Sequence, residues 1–328
     1  MSGPEQLNAE AIDVSVIVPT WKAAAFVERA IASALASASI KVEVVAVDDA
    51  SPDATFGVLE ALAAADPRIV VDRLAVNSGP SVARNRAIEL ARGKYIAILD
   101  ADDTMAPGRL AGLAALAEST GADIVVDNMT EVDEGGRPIG MRAFLKSETF
   151  ARRRDIDLAT WVEFNQPMRP IDCLGYLKPV IRRETLKGKG IAYDPSLRNS
   201  EDYYLVAHLL AEGARMIYTP ERGYLYRRSD ASTSHRLQPA HTAAWLDAEK
   251  RFVARLGGRV NSQEAAALAA RGRLLRGVHQ LVSAIDAMKA KKVGALFGRL
   301  KADPMAWPFT FNFLARIAMG KVLRRKLV

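Results

Sequence analysis

The chain has 328 residues, of which 49% are hydrophobic and 25% charged, as expected for a globular protein with a large core. Its single cysteine, Cys173, excludes an internal disulfide framework and fits a reducing compartment. The acidic, polar start has no signal-peptide pattern, and no run of about 18 apolar residues predicts a membrane span. We therefore expect a cytoplasmic protein.

The net charge of +7 is concentrated near the C-terminus. Residues 251–328 contain 16 Lys and Arg but only 3 Asp and Glu, whereas the preceding residues carry an acidic excess. This asymmetry predicts an anionic partner for the C-terminal quarter.

The first part of the chain alternates between apolar, β-branched runs and helical patterns. Predicted strands are 14–18, 42–47, 68–74, 94–99 and 122–128. Helical patterns of about 10 to 15 residues separate them, which predicts βαβ units and a mostly parallel sheet flanked by helices. Ligands of such sheets bind at the carboxyl ends of the strands.

The remainder of the chain is less regular and then becomes helical. DEGGRP (133–138) predicts a hairpin turn, and SEDYYLVAHLLAEGA (200–214) predicts a helix. Short strands are predicted at 176–181, 214–219 and 223–228. From about residue 240 the chain has a helical pattern rich in Ala, Arg and Leu.

Several common site motifs are missing. No strand is followed by GxGxxG, and the chain contains no P-loop, CxxC, HExxH or GxSxG pattern. These absences argue against a dinucleotide fingerprint, a P-loop NTPase, a zinc site and a nucleophile elbow.

The stretch YIAILDADD ends a predicted buried strand with clustered carboxylates. Asp100 and Asp102 form a D-x-D pair at the mouth of this strand. Hard divalent cations such as Mg²⁺ or Mn²⁺ bind carboxylate oxygens and complete their shell with water and phosphate. The alternative is a solvated turn that caps the next helix, a role that suits Asp103.

Three other strand ends carry candidate nucleotide contacts. Asp49, in DDASPD, has a carboxylate that suits a ribose hydroxyl or a base N–H; the alternative is an Asx-turn leading into the next helix, a role that suits Asp53. VPTW places Pro19 and Trp21 at the end of the first strand, and a tryptophan either stacks on a base or packs in the core. NSGPSVARN supplies Asn77 and Arg84 as donors, or is simply a structural loop.

The SED segment offers a candidate general base. Asp202 lies in the first turn of a predicted helix, where acidic residues commonly interact with the helix dipole. A carboxylate at this position also suits proton abstraction from a substrate hydroxyl.

Taken together, these segments resemble family 2 of the glycosyltransferases, which have the GT-A fold. The order VSVIVPTW, VVAVDDASPD, NSGPSVARNRAIELARGKYIAILDADD and SED matches over about residues 12–230. Within the family, the sequence is most similar to bacterial enzymes that build exopolysaccharides such as succinoglycan.

The resemblance implies a role for each matched residue. Asp49, Trp21, the main chain around Pro19, Asn77 and Arg84 correspond to the binding site for the uracil of a UDP-sugar. Asp102 corresponds to the ligand of Mn²⁺ or Mg²⁺, Asp100 to its neighbour at the ribose or metal shell, and Asp202 to the catalytic base. Candidates for holding the diphosphate are Arg228, Ser232 and His235.

The expected domain organisation follows from this match. Residues 1–235 form the GT-A domain, with a nucleotide-binding half at about 12–128 and an acceptor half at about 129–235. Residues 236–328 form a basic helical region. Its end, 305–328, predicts a basic amphipathic helix that packs on the core, contacts an anionic membrane or forms a homodimer interface. No nucleic-acid module is evident.

The expected function is metal-dependent, inverting transfer from a UDP-sugar to a saccharide or polyprenyl-diphosphate-linked acceptor, in exopolysaccharide biosynthesis. The enzyme would then act in the cytoplasm or peripherally on the inner membrane. The absence of QxxRW argues against a processive synthase. Two alternatives remain open, a nucleotidyltransferase and a non-catalytic sugar-nucleotide-binding protein. A nucleotidyltransferase should have a glycine-rich loop after the first strand, which VPTWKAAAF does not provide. A non-catalytic protein would be expected to have lost D-x-D or the base, and both are present in this sequence.

Overall fold

A computed structural model describes residues 11–37, 39–140, 143–167, 172–228 and 237–290. The chain divides into two compact units. The first comprises residues 1–157 and 172–230, and the second comprises 158–171 and 231–328. The basic segment 305–328 and the candidates Ser232 and His235 lie outside the described residues.

The first unit is built on one mixed sheet, which has nine strands among the described residues. The strands are β1 (Val14–Thr20), β2 (Val42–Asp48), β3 (Ile69–Arg73), β4 (Tyr95–Ile98), β5 (Thr104–Met105), β6 (Ile124–Val132), β7 (Arg154–Ile156), β8 (Val180–Arg182) and β9 (Met216–Arg227). Their order is β3-β2-β1-β4-β8-β6-β9-β5, and β7 pairs with β9.

Helices follow most of these strands, as the alternating pattern predicts. They are α1 (Val27–Leu35), α2 (Thr55–Ala65), α3 (Pro80–Leu90), α4 (Arg109–Thr120), α5 (Leu158–Glu163), α6 (Arg183–Lys189), α7 (Glu201–Ala211), α8 (Pro239–Leu256) and α9 (Ser262–Lys289). Helix α3 begins at Pro80, two residues earlier than the sequence pattern predicts, because proline suits the first helical position.

The first part of the chain, about residues 12–128, follows the βαβ prediction closely. Strands β3, β2, β1 and β4 are parallel, and β1, β2 and β4 are almost entirely buried. Their β-branched, apolar sequences suit strands that are covered on both faces. The carboxyl ends of these four strands therefore lie along one edge of the sheet.

The second half adds strands of both directions. Strand β8 is antiparallel to both β4 and β6, so it separates the two strands that are adjacent in the predicted series. The predicted strands 214–219 and 223–228 join into the single strand β9, which pairs in parallel with β6. The hairpin turn at 133–138 is confirmed by hydrogen bonds from the Asp133 N–H to the Arg137 carbonyl and from the Gly136 N–H to the Asp133 carbonyl.

The second unit contains α5, α8 and α9. The Arg271 guanidinium of α9 pairs with Glu249 of α8 at 3.1 Å and donates a hydrogen bond to the carbonyl of Asn165, just after α5. This buried ion pair fastens the three helices to one another. Among the described helices, none combines the length and apolar character that crossing a bilayer requires.

A buried polar contact fixes the start of β4 beside β1. The Gly93 N–H donates to the Ser15 Oγ at 2.7 Å, and the Ser15 hydroxyl donates to Glu43 at 2.6 Å. Burial opposes ionisation of Glu43, but hydrogen bonds from Ser15 and Arg92 lower its pKa below the ordinary value. A Cβ on Gly93 would lie 2.4 Å from the Ser15 backbone nitrogen, so this close approach requires glycine.

We therefore predict that Gly93→Ala destabilises the protein. The added methyl group has to displace the β1 backbone, and overpacking of this kind costs about 1–3 kcal/mol in the free energy of unfolding. Chemical denaturation measures the change. Gly112→Ala is the matched control, because a Cβ at that position in α4 meets nothing within 4 Å. Equal stability of the Gly93→Ala variant and the wild type would contradict the prediction.

Candidate active site

Asp49 joins the loops that follow β1, β2 and β3. Its carboxylate accepts hydrogen bonds from the Ser78 N–H at 2.6 Å, the Gly79 N–H at 2.8 Å and the Asn77 side-chain amide at 2.9 Å. Its own N–H donates to the Thr20 carbonyl at 2.8 Å. Gly79 has a φ of +95°, a conformation that glycine adopts without strain. The predicted candidates Asp49 and Asn77 therefore lie in direct contact.

The end of β1 presents an aromatic face at the surface. The Trp21 side chain is 48% exposed, and the Lys22 ammonium lies 4.5 Å from the centre of its ring. Pro19 lies within β1 opposite Val47 of β2, one residue before Thr20, whose carbonyl binds Asp49. Trp21 is thus not a core residue and is available for stacking.

Asp100 follows β4 and is neutralised by two cations. Its Oδ1 accepts a hydrogen bond from Arg84 at 2.8 Å, and its Oδ2 lies 2.9 Å from the Lys178 Nζ. Burial alone would raise the pKa of Asp100, but Lys178 and Arg84 hold it well below its ordinary value. Both carboxylate oxygens are therefore already engaged by positive charges.

The next two aspartates have different surroundings. Asp102 is 45% exposed and pairs with the Arg227 guanidinium at 3.3 Å. Burial and the Asp100 charge raise the pKa of Asp102, and Arg227 partly opposes them. Asp103 is buried and accepts hydrogen bonds from the Tyr224 hydroxyl and the Arg227 N–H, both at 2.7 Å. Burial and its charged neighbours raise the pKa of Asp103 to about 8.

Asp202 lies in the first turn of α7 and approaches the same two cations as Asp100. Its Oδ2 accepts a hydrogen bond from Lys178 at 2.9 Å, and its Oδ1 lies 3.7 Å from Arg84. Burial opposes ionisation, but Arg84 and Lys178 lower the pKa of Asp202. The side chain keeps 12% of its surface exposed. Asp202 is therefore an ionised carboxylate that is connected to Asp100 of the D-x-D motif through the Lys178 ammonium group.

Arg84 projects from α3 and pairs with acidic residues from two elements. It is only 4% exposed and, besides Asp100, it donates a hydrogen bond to Glu201. Its guanidinium lies 5.3 Å from the centre of the Tyr193 ring. We call the set of buried charges at this point the charge cluster. It consists of Arg84, Asp100, Lys178, Glu201 and Asp202.

The structure therefore places the sequence candidates in two groups. Asp49 and Asn77 lie in contact beyond the ends of β2 and β3, near Trp21 at the end of β1, whereas Arg84, Asp100 and Asp202 belong to the charge cluster. Arg84 is buried among carboxylates, and the base contact expected of it stays a prediction.

Two neighbouring arginines lie at the end of β9, and the role expected of Arg228 at the diphosphate stays a prediction. Arg228 is exposed and lies 3.7 Å from Glu131, whereas Arg227 is buried and reaches Asp102. Neighbouring residues of a strand point to opposite faces, which explains why Arg227 and Arg228 have different surroundings.

Sequence reasoning also missed Lys178, which precedes β8. The available signal was a lysine within the otherwise apolar YLKPVI, because a lysine predicted to be buried needs a partner.

The site offers oxygen ligands for a metal but no complete cage. Among the described residues, no group of three or more His, Cys, Asp or Glu side chains is arranged to hold a metal ion. Asp102 is the most exposed carboxylate of the D-x-D motif, whereas Asp100 is committed to two cations. This donor set fits a hard cation that takes its other ligands from water and phosphate.

Solved structures support the fold assignment. The fold is similar to that of residues 1–349 of TarS from S. aureus in complex with UDP-GlcNAc, with a TM-score of 0.60, 18% identity and coverage of 89% of this chain and 91% of that one. The mannosyltransferase PcManGT from Pyrobaculum calidifontis, in complex with GDP-Man and Mn²⁺, also has a TM-score of 0.60, with 18% identity and coverage of 96% and 81%. The predicted GT-A fold is confirmed.

Sequence comparisons identify the family. The model of glycosyl transferase family 2 matches residues 15–185, just over half of the chain. The succinoglycan biosynthesis protein ExoO of Rhizobium meliloti is 37% identical over 297 residues, which cover 90% of this chain and 82% of ExoO. ExoU of the same organism is 35% identical over 301 residues, which cover 90% and 85%. The chain therefore belongs to glycosyl transferase family 2 and is a glycosyltransferase.

Proposed function

We propose that the protein transfers a sugar from a UDP-sugar to a saccharide or polyprenyl-diphosphate-linked acceptor, with inversion, in exopolysaccharide assembly. The names of ExoO and ExoU support the pathway, and the UDP-GlcNAc complex of TarS supports the donor class. The observation that carries the proposal is the position of Asp202, which shares Lys178 with Asp100 of the D-x-D motif.

The nucleotide would bind where the loops after β1, β2 and β3 meet. A carboxylate has about four lone-pair sites, and the Asp49 carboxylate accepts three hydrogen bonds from residues 77–79, which leaves capacity for the N–H of a uracil ring. The exposed face of Trp21 suits stacking on that ring. Asn77 would then act mainly by holding Asp49 in place.

Asp102 would hold Mn²⁺ or Mg²⁺ together with the donor diphosphate. Such ions are commonly bound by one or two carboxylates, with substrate phosphates and water as the remaining ligands. When bound, the ion would neutralise the negative charge that develops on the leaving diphosphate. Arg227, which pairs with Asp102, would add a second positive charge beside that of the metal ion. We assign to Arg227 the contact with the diphosphate that the sequence analysis gives to Arg228.

Asp202 would act as the general base. The acceptor oxygen attacks the anomeric carbon, its proton moves to the Asp202 carboxylate, and the bond from the anomeric carbon to UDP breaks with its electron pair leaving on UDP. One base and one displacement invert the anomeric configuration. The lowered pKa keeps Asp202 ionised and ready to accept the proton.

Membrane contact by the basic segment 305–328 and a homodimer stay predictions, because that segment lies outside the described residues.

We predict that the wild-type protein hydrolyses or transfers from at least one UDP-sugar of a panel in the presence of Mn²⁺, and that Asp102→Ala lowers this rate by at least about 100-fold. Release of UDP measures both. Asp133→Ala, in the exposed hairpin, is the control and should retain wild-type activity. A wild-type protein that is inactive on the whole panel would contradict the proposed function, whereas a fully active Asp102→Ala variant would contradict only the metal assignment.

We further predict that Asp202→Asn separates binding from transfer. The amide keeps the shape of the carboxylate but cannot take the acceptor proton, so transfer should fall by about 100-fold or more. UDP affinity, measured by calorimetry with Mn²⁺ present, should stay within about threefold of the wild-type value because the uracil contacts are assigned to other loops. Loss of UDP binding in parallel with activity would count against the base role.

Arg84 would serve as a structural counter-ion, which its removal tests. Breaking a buried ion pair costs about 3–5 kcal/mol, so Arg84→Met should lower the free energy of unfolding by that order at pH 7. Without Arg84 the pKa values of Asp100, Glu201 and Asp202 rise, and protonation on acidification then relieves the unpaired charge. The stability difference from the wild type should therefore be larger at pH 7 than at pH 5.

Denaturant titrations at the two pH values measure this difference. Arg86→Met is the control on the same helix, since Arg86 is partly exposed and pairs with Asp72 at the surface. It should show little change at either pH. A stability loss for Arg84→Met that is equal at both pH values would rule out the counter-ion role.

A further inference from the structure

Lys178 occupies a position that no site motif of the sequence indicated. Its Nζ lies 2.9 Å from the Oδ2 of Asp100 and 2.9 Å from the Oδ2 of Asp202, and its side chain is 8% exposed. The ammonium group therefore bridges Asp100, which begins D-x-D, and Asp202 at the start of α7, at a shorter distance to Asp202 than that of Arg84.

The backbone of Lys178 is fixed by a second buried ion pair. The Lys178 carbonyl accepts a hydrogen bond from Arg109 at 2.5 Å, and Arg109 pairs with Asp127 at 2.7 Å. Both Arg109 and Asp127 are buried. The residues that follow Lys178 enter β8, which lies between β4 and β6 in the sheet. A lysine anchored in this way presents its ammonium group at a defined point.

We propose that Lys178 is a positioning residue that holds the base Asp202 in register with the donor motif. This inference rests on the proposed function, since it takes Asp202 as the base. Lys178 itself touches neither the acceptor nor the anomeric carbon in this scheme. It acts through Asp202 by supplying the hydrogen bond that orients the carboxylate and a positive charge beside it.

The charge of Lys178 also contributes to the ionisation of Asp202. Within the charge cluster, Arg84 and Lys178 lower the pKa of Asp202, whereas burial and the Asp100 charge raise it. The titratable and charged groups that face Asp202 are Arg84 from α3, Asp100 after β4, Lys178 before β8, Tyr193 after α6, and Glu201 from α7 itself. An opposite charge at this distance favours the ionised carboxylate and lowers its pKa. Arg84 alone would leave Asp202 easier to protonate.

Lys178→Met tests the inference, because it removes the charge and the hydrogen bonds while keeping an unbranched side chain. We expect kcat to fall by about tenfold or more from loss of orientation. The ratio of kcat/KM between the variant and the wild type should also be about threefold lower at pH 5.5 than at pH 8, since a larger fraction of Asp202 is protonated in the variant at the lower pH. UDP-sugar turnover with Mn²⁺ is the assay, using the donor that the wild type accepts.

Two further variants make the result specific. Lys178→Arg keeps the positive charge and should retain the wild-type pH dependence even where its kcat is reduced. Lys94→Met removes a surface lysine that pairs with Glu118 and should leave both kcat and its pH dependence unchanged. Should Lys178→Met fail to fold, Lys178→Gln, which keeps donors without the charge, replaces it with the same expected pH dependence.

The outcomes distinguish this inference from the proposed function. An inactive wild type would contradict the proposed function itself. If the wild type is active and the ratio of kcat/KM between Lys178→Met and the wild type is constant from pH 8 to pH 5.5, the role of Lys178 is overturned. A Lys178→Arg variant that loses activity more steeply than the wild type on acidification would also overturn it. A ratio that falls on acidification only in the neutral variants supports it.

Discussion

The balance of buried charge around Arg84 and Lys178 is the interaction on which the arrangement of the site depends. Two cations neutralise three carboxylates that come from two distant parts of the chain, one after β4 and two from the start of α7. Removing either cation would leave a buried carboxylate without adequate compensation, which costs several kcal/mol. The cluster thus fixes α3, α7 and the β4–β8 region relative to one another within the first unit.

The same balance explains why three neighbouring aspartates have different chemistry. Asp100 is ionised because both cations face it, whereas Asp103 has a raised pKa because it is buried beside two other acids. Asp102 is partly exposed to solvent and pairs with Arg227. The short acidic motif therefore contains three different groups. Asp100 is a structural anchor, Asp103 is a carboxyl that closes the turn, and Asp102 is the carboxylate most accessible to a cation.

Much of the fold was predictable because it is encoded locally. Buried parallel strands have apolar, β-branched sequences, and the polar residues that follow them identify one edge of the sheet, which is where Asp49 and Asn77 meet. Lys178 and Arg227 were not predictable in this way. Their partners lie 24 and 125 residues away in the sequence, and their roles depend on how β8 and β9 are inserted in the sheet. Local patterns carry no information on such pairings.

The charge cluster also gives a physical reason to treat the D-x-D motif and Asp202 as one electrostatic unit. Asp100 raises the pKa of Asp202 through its negative charge, while the two cations that they share lower it. Any change in the charge or position of Asp100 alters how strongly Lys178 and Arg84 stabilise the ionised form of Asp202. An isolated carboxylate in solution has a fixed proton affinity, whereas the proton affinity of Asp202 depends on the buried charges around it. In the proposed reaction, the counter-ions shared by Asp100 and Asp202 would couple the D-x-D motif electrostatically to the proposed base.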